Sequence, residues 1–127
     1  MIGKFGRLAK ENNPLTIHGD GEYKRDYIHV SDVAKACISS IESKVRNEIF
    51  NVGTGTNISV NKVVDIIREF KDVTVVHEEN PRGYAQETLA DISKAKKLLG
   101  WEPKINQVEG IRKTYKEIFN EQTDWTY

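Results

Sequence analysis

Two arginines beside glycine-containing loops are the residues of this sequence best suited to binding chemistry. Arg25 follows a glycine turn at residues 19–21 and opens an aromatic and β-branched run at residues 26–30. A planar, permanently charged guanidinium at the mouth of a strand can hold a phosphate through paired hydrogen bonds. Asp26, next door, either fixes the arginine or holds the loop backbone. Arg82, in a Pro-Arg-Gly loop, is a second candidate phosphate ligand. On the residues alone, solvated surface charges are the favoured interpretation of both arginines.

A second candidate is the turn Gly53-Thr54-Gly55, which lies between a predicted strand and a predicted helix. With Glu78 beyond the next strand, this is the layout of a dinucleotide-binding fingerprint, in which glycines admit the pyrophosphate and an acid holds the ribose. Ile58 occupies the third glycine position, however, and the helix begins only at Ser59. The turn is therefore too long for a tight first βα loop. A plain turn is favoured, and a small dinucleotide-binding protein is the weaker alternative.

The remaining reactive side chains do not form a catalytic or metal-binding pattern. The three histidines, His18, His29 and His77, sit at strand ends and are not paired on one helix. The acids after His77 are more typical of a solvent-facing segment than of a cation site. The single cysteine, Cys37, excludes an internal disulfide, and its position on the apolar face of a predicted helix predicts a core residue. Nucleophile-elbow and Gly-Lys-Ser/Thr phosphate-loop motifs are absent from the sequence.

These residues must be positioned by strands and helices that alternate along the chain, which favours an α/β fold with parallel strand pairing. Ser31 and Ser59 are predicted helix N-caps, and Gly100 is a predicted left-handed C-cap. Apolar periodicity predicts helices at residues 2–10, 31–41, 59–70, 93–99 and 108–119. Runs of β-branched and aromatic residues predict strands at residues 15–17, 26–30, 48–52 and 73–76.

Length and charge narrow the class of protein. The 127 residues suffice for one domain, residues 1–127. Hydrophobic residues make up 38% and charged residues 30%, the balance of an ordinary globular protein. The formal net charge is zero, whereas nucleic-acid binders usually carry a basic excess, so we expect no nucleic-acid partner. The sequence has neither a long apolar run nor a charged-then-apolar leader, which predicts no membrane association and a cytoplasmic location.

Three blocks of the sequence resemble a known enzyme family. Residues 15–34, with Arg-Asp-Tyr-Ile-His-Val at 25–30, form the first, and Asn-Val-Gly-Thr-Gly at 51–55 followed by Ser59-Val60 forms the second. The third is Asp-Ile-Ser-Lys-Ala at 91–95 with Leu-Leu-Gly-Trp-Glu-Pro at 98–103. In order and spacing these blocks resemble the second half of NAD-dependent nucleotide-sugar epimerases and dehydratases, of the extended short-chain dehydrogenase/reductase family. The form at 25–30 is most similar to the UDP-glucose 4-epimerase branch.

The resemblance implies roles for individual residues at a nucleotide-sugar site. It implies that Arg25 contacts the substrate diphosphate and that His18 lies where an aromatic ring packs on the nucleotide base. Thr16 and Ile17 would form the same edge. Arg82 would be the second diphosphate arginine, but it is shifted by one place from the family's Arg-Pro-Gly-Asp-like loop and the acid of that loop is replaced. The helix after residue 30 and the strand at 48–52 would pack against the cofactor domain.

The resemblance also implies a missing half. The family's glycine-rich cofactor loop, catalytic Ser/Thr and Tyr-x-x-x-Lys lie in the first half, so this chain alone is expected to be inactive and to bind no NAD, which serves the intact enzyme. The expected partners are a nucleotide sugar, the N-terminal half and, because apolar faces lose their neighbours, further copies of the chain. The alternatives are the corresponding part of a nucleotide-sugar 4,6-dehydratase, or a non-catalytic nucleotide-sugar-binding or interaction module.

Overall fold

The computed structural model describes residues 1–120. Its helices are α1 (Ile2–Lys10), α2 (Val30–Glu42), α3 (Val60–Arg68), α4 (Ser93–Leu99) and α5 (Gln107–Asn120). Its strands are β1 (Leu15–His18), β2 (Lys24–Arg25), β3 (Ile58–Ser59) and β4 (Val75–Glu78). β1 pairs with β4 in parallel, with His18 opposite Glu78. The predicted α/β class and parallel pairing are therefore confirmed. The antiparallel pair of β2 and β3, with Arg25 opposite Ile58, was not predicted.

The main core lies among α1, α3, α5 and the inner face of β1. Ser59 caps α3 as predicted, because its hydroxyl accepts a hydrogen bond from the Lys62 backbone N–H at 3.2 Å. The apolar positions that predicted this helix, among them Val60, Val63, Val64 and Ile67, face inward and are buried. β1 alternates between buried and half-buried residues, so one of its faces belongs to the core and the other faces away. The buried residues of this core include Phe5, Leu15, Ile17, Tyr23, Val60, Val63, Ile66, Ile67, Ile111 and Tyr115.

A smaller cluster joins α2 to α4 through Ala36, Ile92, Ala95 and Trp101. The fully buried Asp32 ties this cluster to the segment before α5. Its Oδ2 atom accepts hydrogen bonds from the backbone N–H groups of residues 104 and 105 at 2.9 and 2.8 Å. The Trp101 indole donates to the Asp32 backbone carbonyl at 3.1 Å. Burial alone would raise the pKa of the Asp32 carboxyl. The backbone N–H groups of residues 105 and 104 and the neighbouring Lys35 side chain nevertheless hold this pKa below its ordinary value.

The orientation of α2 corrects one sequence prediction. Cys37 does lie on the apolar stripe of the helix, but that stripe faces outward and Cys37 is exposed. Only Asp32 and Ala36 of α2 are buried. Helical spacing places Val30, Ala34, Cys37, Ile38 and Ile41 on one face, and all of them are exposed. The exposed fraction reaches 75% for Val30 and 81% for Ile41. We call these residues the α2 stripe.

Two predicted strands and one predicted cap are also wrong. Residues 26–29 and 48–52 form no strand, since no described strand lies alongside them and sheet pairing requires a partner. Ser31 lies inside α2, and His29 is the N-cap, with its side chain accepting from the Ser31 backbone N–H. The Gly100 prediction is confirmed, because this residue ends α4 in the left-handed conformation at φ 62°. Among the helices within residues 1–120, none has the length and apolar character required to cross a membrane.

Candidate functional site

Arg25 lies in an aromatic cradle formed by two tyrosines. Its guanidinium carbon is 5.0 Å from the centre of the Tyr23 ring and 5.1 Å from the centre of the Tyr84 ring. The two rings meet edge to face, with centroids 4.9 Å apart and planes at 80°. Both distances lie within the range of cation–π attraction. The cradle therefore fixes the plane of the guanidinium while Arg25 remains partly accessible.

Two backbone carbonyls fix the same guanidinium. Arg25 Nη1 donates to the Lys24 carbonyl and Nη2 to the Ala85 carbonyl, each at 2.7 Å. Neither acceptor is a carboxylate, so these contacts leave the positive charge of the arginine unneutralised. A guanidinium has further N–H donors beyond the two used here. The arrangement is a fixed cation with donors left for an anionic ligand.

His18 extends the cradle at the carboxyl end of β1. Its ring centroid is 5.9 Å from that of Tyr84, with the planes tilted by 57°. Its Nδ1 atom is 3.9 Å from Glu78 Oε2, too far for a hydrogen bond, and within residues 1–120 it has no hydrogen-bond partner. In α/β proteins, ligands bind outside the carboxyl ends of parallel strands. Both β1 and β4 end here, at His18 and Glu78.

The phenol of Tyr23 stays neutral in this cradle. Burial raises the pKa of Tyr23 to about 12; the neighbouring Tyr84 hydroxyl adds to the increase, and the Arg25 charge opposes it. A phenol is uncharged at neutral pH, and the raised pKa keeps the ring uncharged to higher pH, so no phenolate competes with an incoming anion for the guanidinium.

The other predicted site residues differ in how accessible their side chains are to a ligand. Thr16 and His18 are half-buried positions of β1 and share the strand face that points away from the core. The Ile17 side chain is 1% exposed and belongs to the main core, so any ligand contact of Ile17 would have to come from its backbone. Arg82 is exposed, in a turn that the Tyr84 backbone N–H closes on the Pro81 carbonyl at 3.2 Å. The structure thus brings His18 and Arg25 to Tyr84, and carries Arg82 on the same loop.

The sequence left open whether Asp26 fixes Arg25 or holds the loop backbone, and the structure shows that Asp26 holds the loop backbone. Its Oδ1 accepts from the Thr54 N–H at 2.8 Å and the Thr54 hydroxyl at 2.7 Å. Its Oδ2 accepts from the backbone N–H groups of Gly55 at 3.0 Å and Ala90 at 3.3 Å. The turn at residues 53–55 therefore binds a carboxylate of its own chain. It does not fit the pyrophosphate of a dinucleotide, because its Thr54 and Gly55 N–H donors are already engaged and β3 separates it from α3.

Tyr84 is the site residue that sequence reasoning missed. The replacement of the family's acid at this loop position was visible in the sequence, but an aromatic ring in an irregular loop carries no periodicity that reveals its partner. Only the folded chain shows that Tyr84 reaches both His18 and Arg25. Among residues 1–120, there is no group of three or more His, Cys, Asp or Glu side chains suited to a metal ion.

Solved structures share this fold. The chain superimposes on the UDP-glucose 4-epimerase of Thermotoga maritima, solved with UDP-glucose, with a TM-score of 0.83 and 35% identity over 91% of this chain and 38% of that one. A UDP-glucuronic acid 4-epimerase from Bacillus cereus, in complex with UDP-glucuronic acid and NAD, gives a TM-score of 0.83 and 27% identity over 92% of this chain and 38% of that one. The α/β arrangement is thus one found in extended short-chain dehydrogenase/reductase epimerases.

Sequence comparisons agree. The family model described as GDP-mannose 4,6 dehydratase matches residues 4–114. The UDP-glucuronate 4-epimerase of Thermodesulfobacterium geofontis is 37% identical over 116 residues, covering 89% of this chain and 36% of the relative. The dTDP-4-dehydro-6-deoxyglucose reductase of Escherichia coli is 37% identical over 121 residues, covering 93% and 38%. The chain belongs to the NAD-dependent nucleotide-sugar epimerase/dehydratase family, and it spans just over a third of the length of these relatives.

Proposed function

We propose that this chain binds the nucleotide-diphosphate end of a nucleotide sugar, as the C-terminal, substrate-binding part of an NAD-dependent 4-epimerase that acts on UDP-sugars. The observation that carries the proposal is the state of Arg25. Within residues 1–120 its guanidinium has no carboxylate partner and is fixed by two carbonyls and two rings, near the carboxyl ends of a parallel strand pair. A planar fork of N–H donors matches the oxygens of a diphosphate.

The neighbouring residues fit the same ligand. His18, whose ring lies beside that of Tyr84, provides an aromatic surface on which a nucleotide base can pack. Thr16 lies on the same face of β1 as His18 and can supply a hydroxyl. Arg82, on the exposed turn before Tyr84, can approach a phosphate without losing a contact in the core. In this proposal, remote binding energy at the nucleotide end positions the sugar for chemistry performed elsewhere.

The α2 stripe supports the rest of the proposal, in which the chain docks on a cofactor-binding part. An apolar helix face that is exposed over three turns is unusual for a protein that functions alone. The next segment adds Ile49, whose side chain is 86% exposed. The relatives are more than twice as long as this chain, and one was solved with NAD. In this proposal the α2 stripe packs against the part that binds NAD. When that part is absent, the exposed α2 stripe drives the chain to self-associate.

Calorimetric titration at low salt tests the binding role. UDP-glucose, dTDP-glucose and GDP-mannose are each titrated into the wild type, Arg25→Ala and the control Arg68→Ala. Arg68 is an exposed arginine at the end of α3 whose ion pair is with Asp65. We expect saturable binding of the UDP-sugar, a loss of about tenfold or more in Arg25→Ala, and no change in Arg68→Ala. If the wild type binds none of the three, or Arg25→Ala binds like the wild type, the proposal is wrong.

The same titration distinguishes the UDP-sugar epimerase from a second candidate function. The family model that matches residues 4–114 is that of a GDP-mannose 4,6 dehydratase, which favours a guanine nucleotide and a dehydratase. Preferential binding of GDP-mannose, again lost in Arg25→Ala, would support that candidate over the UDP-sugar epimerase.

A further inference from the structure

Tyr84 follows Arg82 and Gly83 in the loop that brings its ring to Arg25. An acid there would place a negative charge beside Arg25. The tyrosine instead places a neutral ring 5.1 Å from the guanidinium carbon. A tyrosine at this position therefore gives a cation–π contact, which leaves the arginine charge available, where an acid would give an ion pair that competes with an anionic ligand.

The loop that carries Tyr84 is fastened to the strand that carries Arg25. The Lys24 backbone N–H donates to the Gln86 carbonyl at 2.8 Å, and the Thr88 N–H donates back to the Lys24 carbonyl at 3.1 Å. Ala85, next to Tyr84, accepts from Arg25 Nη2. These hydrogen bonds hold the backbone of the loop, and with it the attachment point of the Tyr84 ring, beside the guanidinium.

We infer that Tyr84 is a positioning residue that clamps the Arg25 guanidinium against Tyr23, so that its unused N–H donors face the diphosphate of the substrate. This inference rests on the proposed function. Long side chains lose rotamer entropy when a ligand fixes them, and a side chain fixed in advance does not lose it on binding. The ring carries the effect and the hydroxyl does not, because the attraction is between the cation and the aromatic face.

The competing role for Tyr84 is stacking on the nucleotide base. The two roles predict a loss of affinity for different ligands when the Tyr84 ring is removed. A clamp on Arg25 affects ligands that carry the diphosphate and leaves the nucleoside alone, whereas a base platform affects both.

The test uses the full chain and the variants Tyr84→Phe and Tyr84→Leu. Titrations of UDP-glucose by calorimetry and of uridine by NMR are combined with ¹⁵N relaxation of the Arg25 Nε–H group in the ligand-free chain. We expect Tyr84→Phe to match the wild type in both titrations and in Arg25 order. We expect Tyr84→Leu to weaken UDP-glucose about threefold to tenfold, to leave uridine unchanged and to make the Arg25 Nε–H more mobile.

Each contrary result identifies what fails. If Tyr84→Leu weakens uridine and UDP-glucose by the same factor, the ring is a base platform and the clamp is wrong. The positioning role is also wrong if the wild type binds UDP-glucose and Tyr84→Leu changes neither the UDP-glucose affinity nor the mobility of Arg25. If the wild type binds no nucleotide sugar at all, the proposed function fails and the positioning role fails with it.

Discussion

Asp26 and Thr54 are joined by two hydrogen bonds to a single carboxylate oxygen, one from the Thr54 backbone N–H and one from its hydroxyl. Gln107 extends this contact, because its Nε2 atom donates to Thr54 Oγ1 at 2.9 Å and its Oε1 accepts from the Tyr27 N–H at 3.3 Å. Since Asp26 directly follows Arg25, the network anchors the strand of the candidate site to the turn at residues 53–55 and to α5. The acid of the Arg-Asp-Tyr motif therefore acts on the fold, because its carboxylate is engaged by the backbone at residues 54, 55 and 90.

Replacing Asp26 by Asn should destabilise the chain. The side-chain amide would turn an N–H donor toward the N–H groups of Gly55 or Ala90, which now donate to Asp26 Oδ2. Hydrogen bonds to charged groups contribute more than neutral ones, so we expect a loss of about 2 kcal/mol in the free energy of unfolding. Chemical denaturation measures it. The control is Asp65→Asn, which removes an exposed ion pair with Arg68 and should change stability by about 0.5 kcal/mol or less. Equal effects of the two substitutions would contradict the anchoring role of Asp26.

Asp32 should make the chain sensitive to acid. Because hydrogen bonds from the backbone at residues 104 and 105 and the charge of Lys35 outweigh burial, its folded pKa lies below the unfolded value of about 3.9. A depressed folded pKa gives stability that is fully present above the unfolded pKa and is lost as the pH falls through the folded pKa. We therefore expect the gap in unfolding free energy between wild type and Asp32→Asn to narrow below about pH 4. Urea denaturation over a pH series measures the gap; a gap that stays constant to low pH contradicts the assignment.

The α2 stripe should drive self-association of the isolated chain. Sedimentation velocity at high concentration should show a dimer or larger species for the wild type. Ile41→Lys places a charge at a side chain that is 81% exposed, so it should shift the population toward monomer without unfolding the helix. Val76→Lys is the matched control, since Val76 is also apolar and exposed but lies on β4, away from the stripe. A wild type that sediments as a clean monomer would contradict the prediction.

Helix periodicity and caps predicted much of the fold, because both are local. The stripe of α3, the Ser59 cap and the Gly100 C-cap depend on residues within a few positions of one another. The strand predictions at 26–30 and 48–52 were wrong because pairing depends on a partner distant in sequence, which local composition cannot supply. The outward orientation of α2 is a similar case. Periodicity defines an apolar face, but only tertiary contacts decide that the buried face is the one carrying Asp32 and Ala36.

The candidate site was predictable in part. Arg25 and His18 were singled out by motif and resemblance, and they lie close to the same Tyr84 ring. Tyr84 was missed because its partners are more than fifty residues away in sequence and its loop has no periodic pattern. The glycine turn at residues 53–55 was favoured as a plain turn between a strand and a helix, but within residues 1–120 no strand directly precedes it, and the Asp26 carboxylate that it binds was not visible in the sequence.

Gly53 should not tolerate a side chain, for a reason that has nothing to do with cofactor binding. A Cβ atom at this position would lie 2.5 Å from Ala90 Cβ and 2.7 Å from Asp26 Oδ2. Gly53→Ala must therefore push the turn away from Asp26, and we expect a loss of about 2 kcal/mol or more in unfolding free energy, measured by denaturation. Gly3→Ala is the control, because it lies in α1 with open space around its Cβ and should be neutral or stabilising by up to about 1 kcal/mol. Asp26→Asn combined with Gly53→Ala should destabilise by less than the sum of the single effects, since both disrupt the same contact. Additive effects would show that Gly53 is required for something other than the Asp26 contact.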